Sequence, residues 1–184
     1  MTGTRIRLAL ATVAVVAGVT IITACAQPGA PAAGRPVSSA PVAAGDGPSA
    51  SATMICQPEA EAEIAAALGV KTSQQPTPSW QDHVYTCRYE YPTGAMVLSV
   101  KELSDEATTT AYFTAAQHGL PTVTALKVLG QTAFAGPDGS LFVRKDFKVL
   151  HVDVGALPDH LGQFTRADAA FTVAAVIMSC WTGA

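Results

Sequence analysis

The sequence predicts an α+β domain in which an antiparallel sheet is covered by helices, in the order α-β-β-α-(β)-β-β-α. Three observations carry this reading. Two stretches alternate with period two on either side of a turn, which is the signature of a hairpin. Each is preceded by a segment with helix start and stop residues. A final segment, from Ala169 to Trp181, holds no charge, as a helix packed on several sides would.

The chain begins with something other than the domain. Arg5 and Arg7 precede an apolar run from Leu8 to Ile22, and Ala24 stands before Cys25. A basic start, an apolar core and a small residue before the cut make a secretory leader, here residues 1–24. The tetrapeptide Ile22-Thr23-Ala24-Cys25 resembles the bacterial lipobox at all four positions. That resemblance implies a diacylglycerol joined by thioether to Cys25 and cleavage just before it. The apolar run is short of the roughly 20 residues that a spanning helix needs. The expected location is therefore the extracytoplasmic face of the cell membrane, with the acyl chains on Cys25 as the anchor.

Residues 25–52 read as a disordered linker. They are almost wholly Ala, Pro, Gly and Ser, with Pro28, Pro31, Pro36, Pro41 and Pro48 spaced too closely for a helix. Such a composition buries too little apolar surface to offset its ordering entropy. As a flexible coil it spans on the order of 30 Å, enough to lift a domain clear of the headgroups.

Residues 53–184 are expected to form a single globular domain. Glu59, Glu61 and Glu63 open a helix that Gly69 ends. A polar loop from Lys71 to Ser79 leads to a strand, His83 to Tyr91. Pro92-Thr93-Gly94 turns the chain, and Ala95 to Leu103 returns with Met96 and Leu98 on one face. Ser104 is expected to cap a second helix, to about Gln117, whose Tyr112 and Phe113 would meet the sheet. Short strands follow from Ala125, divided by Gly130 and by Gly136-Pro137-Asp138-Gly139. A second hairpin then joins Ser140–Arg144 to Phe147–Val154 through Lys145-Asp146. Thr165 and Asp168 form a capping box for the last helix, Arg166 to about Trp181.

Three cysteines remain beyond Cys25. Cys56 and Cys87 flank one helix–strand connection and are the expected disulfide; a bridge from Cys180 to either is the alternative, and burial of Cys180 as a small hydrophobe beside Trp181 a third reading. No base or cation adjoins Cys180 in sequence to activate it.

A cysteine before the first helix paired with one in the next strand, the segment Val128-Leu129-Gly130-Gln131-Thr132-Ala133-Phe134, and Leu141-Phe142-Val143-Arg144-Lys145 answered by Val149-Leu150-His151-Val152-Asp153-Val154 resemble a group of small actinobacterial cell-envelope lipoproteins of unknown function. The fold this resemblance implies is an α/β sandwich similar to the Mog and photosystem II PsbP proteins. It brings no catalytic residues to this chain.

Charge and motif content narrow the function classes. With Arg5 and Arg7 in the leader, 9 Lys and Arg face 14 Asp and Glu in the mature chain, with no basic cluster. Phosphate binding needs a concentrated cationic face, so nucleic acid is not an expected partner. His83, His118, His151 and His160 lie far apart and show no zinc spacing, and no metal or cofactor is expected. There is no nucleophile elbow, phosphate-binding loop or dinucleotide fingerprint. The candidate ligand-binding residues are Trp80, His83 and Tyr85, which gather with Asp82 near the loop before the first strand. The expected function is a non-catalytic binding, accessory or sensor module for an envelope protein, glycan or lipid. A lipid or small-molecule carrier, its cavity lined by Phe113, Phe142, Phe171 and Ile177, is the runner-up, and a hydrolase is third.

Overall fold

The computed structural model describes residues 43–181. The leader, Cys25 and most of the expected linker lie outside the described residues. Those residues form four α-helices and a seven-stranded, wholly antiparallel sheet. The sequence order α-β-β-α-(β)-β-β-α fits this arrangement roughly, with additional short strands.

A short helix α1, Ala50–Thr53, runs through a 3₁₀ turn, Met54–Cys56, into α2, Pro58–Leu68. Pro58 at the first turn, Glu59 and Glu61 beside the positive helix end and Gly69 at φ 67° fix the limits of α2. Strands β1, Thr77–Gln81, β2, Val84–Tyr91, and β3, Gly94–Glu102, make one meander. Helix α3, Glu106–His118, leads to a second meander: β4, Thr124–Val128, β5, Gln131–Ala135, β6, Leu141–Lys145, and β7, Lys148–Asp153. Pairing of β3 with β7 joins the two into one sheet, whose order is β1-β2-β3-β7-β6-β5-β4. A small hairpin, β8, His160–Leu161, and β9, Phe164–Thr165, precedes α4, Arg166–Cys180.

Register sorts the side chains. Tyr85, Val100, Leu150, Val143, Ala133 and Leu126 form one row across β2, β3, β7, β6, β5 and β4. That face carries the main core, over which α2 and α4 pack with Ile64, Leu68, Val173 and Ile177. On the opposite face the row is Thr86, Ser99, His151, Phe142, Phe134 and Ala125. Helix α3 covers only part of it, through a second cluster of Leu103, Phe113, Phe134 and Val149.

The disulfide joins Cys56 to Cys87, tying the 3₁₀ turn to the centre of β2 and removing the alternative pairing of Cys180 with either. Beside it the buried Tyr89 hydroxyl donates to the Ile55 carbonyl at 2.6 Å. Cys180 is half-buried at the end of α4, its sulfur 3.4 Å from a Glu63 carboxylate oxygen.

Several local expectations differ. Residues 44–52, read from composition as linker, are joined to the domain: Ala44 N–H donates to the Leu103 carbonyl at 3.1 Å, and Ala52 is fully buried. The buried Glu102 carboxylate accepts from the Ser49 backbone at 3.3 Å and from its hydroxyl. The Leu103 carbonyl, the Glu102 carboxylate and burial of Ala52 hold a segment whose Ala/Pro-rich composition does not reveal its order. Pro78, expected in a loop, lies on β1 and is tolerated there because β1 is an edge strand. Asp105, not Ser104, caps α3, its carboxylate accepting from Thr108 N–H at 2.8 Å.

Candidate functional site

Of the residues expected to bind a ligand, His83 is exposed, Trp80 half-buried and Tyr85 buried. Asp82 and His83 form the β1–β2 turn with φ of 50° and 57°, and the exposed His83 ring meets Trp80 edge to face at 5.9 Å. Tyr85 lies opposite Trp80 but is only 9% exposed and belongs to the main core. Trp80 packs half-buried against that core and covers the sheet edge.

The four histidines fall in four places: the β1–β2 turn, the last turn of α3, the middle of β7 and the short β8. Among the described residues, no group of three His, Cys, Asp or Glu side chains converges in a way that would hold a metal ion. His151 has the most developed surroundings. Its ring stacks on Phe142 at 4.0 Å, Phe142 stacks on Phe134 at 4.7 Å, and Phe134 meets Phe113 of α3 at 4.9 Å. Burial lowers the imidazole below its ordinary 6.5, against the opposing pull of the Asp153 and Asp138 carboxylates.

Next to His151 the Gly136–Ser140 turn is closed by its own polar groups. Asp138 accepts from Ser140 N–H at 3.0 Å and from its hydroxyl at 2.8 Å. The Ser140 oxygen accepts in turn from Val154 N–H at 3.2 Å, and Asp153 from Gly155 N–H at 2.9 Å. Burial alone would raise the Asp138 carboxyl, yet the Ser140 hydrogen bonds bring it below the ordinary carboxylate value. This is a network that shapes a turn. Gly139, at φ 90°, lets the turn press on α4: a Cβ there would lie 2.9 Å from Ala167 N.

Where that turn meets α4, a groove of about 560 Å³ opens along β4. Its apolar wall is Leu126, Leu141 and Phe171, and Phe171 is 46% exposed. Asp138, Asp159 and Asp168 line its polar end, together with Arg166, which pairs with Asp159 at 2.7 Å. Thr165 and Asp168 hold the adjoining helix end through their capping box, with Asp168 N–H donating to Thr165 at 3.2 Å. The arrangement offers apolar contact beside three carboxylates and one guanidinium. A second depression, about 590 Å³, runs along α2 over Ala62, Ala65, Ala66 and Gly69.

Sequence reasoning missed the groove because its walls come from four separate segments. In the sequence Phe171 reads only as lining for a carrier cavity, and Leu126 carries only a strand signal. The four residues expected to line a carrier cavity are dispersed: Phe113 and Phe142 pack on the α3 side, Ile177 in the main core, and Phe171 at the groove.

Comparison with protein-family models, curated proteins and solved structures finds no match to this chain.

Proposed function

We propose that this chain is a cell-envelope lipoprotein, held by acyl chains on Cys25, whose domain acts by non-catalytic binding of an envelope partner. The observation that carries the binding reading is the groove between β4 and α4, where Leu126 and Phe171 leave apolar surface open beside a charged rim. Concave sites with an apolar wall and a few convergent polar groups are where ligands and partners are usually held. Export is supported by the Cys56–Cys87 bridge, because such bridges persist in oxidising compartments and seldom in a reducing cytosol. Anchoring is supported by Ile22-Thr23-Ala24-Cys25 alone. A carrier finds less support, since the side chains that would line its cavity belong to separate faces.

The test is co-purification. The protein extracted gently from its own envelope is expected to carry a partner, and Phe171→Glu to lose it with an unchanged melting temperature. Retention of the same partner by Phe171→Glu would refute the assignment to this groove.

A further inference from the structure

We infer that β4 and the groove beside it take up an extended segment of a partner protein as an eighth strand, with an apolar side chain and, two residues on, a basic one facing α4. This rests on the binding reading above and names its partner chemistry.

Three observations converge. β4 ends the sheet order and is paired on one side only, with β5. The Leu129-Gly130 turn has two residues, so its flanking pair Val128–Gln131 is hydrogen-bonded, and so are Leu126–Ala133 and Thr124–Ala135. The N–H and C=O groups of Ala125 and Lys127 therefore point away from the sheet. An open strand edge of this kind is a template for another chain. Among peptide-recognition modes, strand addition takes affinity from the main chain and specificity from pockets for alternate side chains.

The groove supplies those pockets. Leu126 lies on the α4 side of β4, in register with Ala133 and Val143, and Phe171 of α4 stands over it. A strand laid against β4 places every second side chain under α4. One such position meets Leu126 and Phe171. Its neighbour two residues along, toward Thr124 and Ala135, meets Asp138, Asp159 and Asp168. Arg166 is already engaged by Asp159, so the rim holds an excess of negative charge and complements a Lys or Arg.

The position in the fold agrees. Ala44 enters at Leu103, beyond the Glu102–Lys148 pair, at the end of the sheet that carries the β6–β7 turn. The acidic rim lies at the other end, where β5 passes to β6. Nine residues of β3 separate the two ends by about 30 Å. A tether entering at one end leaves the other open to a partner.

The experiment is an NMR titration of the 25–184 domain, Cys25→Ala, with a capped octapeptide that presents Leu and Lys two residues apart in a Thr/Ser background. Its Lys→Glu counterpart and two copies N-methylated on alternate amides, one in each frame, serve as controls. The inference predicts shifts at Leu126 and Phe171, and slowed amide exchange at Ala125 and Lys127. The Glu peptide binds about tenfold more weakly or worse, and only one N-methylated frame abolishes binding. Equal binding of the Lys and Glu peptides, loss in neither frame, unchanged exchange at Ala125 and Lys127, or self-association through β4 overturns it. A partner that survives on the envelope-extracted protein while the peptides fail sinks strand addition alone. Absence of any partner on that protein sinks the binding reading itself.

Discussion

Two tyrosines on the same strand face separate what a hydrogen bond contributes from what burial contributes. Tyr89 donates to the Ile55 carbonyl, whereas the buried Tyr91 hydroxyl has no hydrogen-bond partner among the described residues. Burial, with Glu61 nearby, pushes the Tyr91 hydroxyl up to about 12. Tyr89→Phe orphans a buried carbonyl and is expected to cost about 1–2 kcal/mol, while Tyr91→Phe is expected to be neutral or stabilising. Urea unfolding of the two variants checks the contrast. Leu129 is a second informative residue: it is 61% exposed and sits in the left-handed region at φ 46°. Leu129→Asn relieves that strain and should stabilise the domain by about 1 kcal/mol in the same assay. His151 sets a pH response. Its folded value is depressed by burial, so the stability it contributes is complete above about 6.5 and is lost as pH falls below it. Wild-type melting temperature should drop from pH 7 to pH 5, and His151→Phe, which keeps the stack on Phe142, should flatten that drop.

At the scale of elements, the caps of α2 and α4 were legible because each is written locally. The Thr165–Asp168 box and Gly69 mark helix ends through residues three or four positions apart, and both occur as expected. Cys56 and Cys87 are 31 residues apart, and their bridge should contribute about 3–4 kcal/mol on the chain-entropy account. Replacing both by Ala is expected to remove that amount, read by urea unfolding against wild type under non-reducing conditions. Edges and surfaces were less legible. Residues 77–79 read as loop because an edge strand needs only one set of ladder bonds and tolerates loop-like composition. Residues 44–52 read as linker because the groups they bond to, Glu102 and the Leu103 carbonyl, lie far along the chain. The groove was illegible for the same reason: Leu126, Asp138, Asp159 and Phe171 meet only through the pairing of β4 with β5 and the docking of α4.

At the scale of the whole molecule, the two meanders join through β3 and β7, and helices α2 and α4 share one face of the sheet. The chain enters at the Leu103 end, and the acidic rim of the groove stands at the other. The envelope location proposed for the domain depends on Cys25 being an anchor and Ala24 a cleavage point. Among the described residues no helix is long and apolar enough to cross a membrane. Intact mass measurement of the protein extracted from its native membrane addresses this dependence most directly. The account predicts a chain that begins at Cys25 and carries the mass of a diacylglycerol, absent from the Cys25→Ala form. An unmodified Cys25 within a chain that keeps its first 24 residues would contradict it.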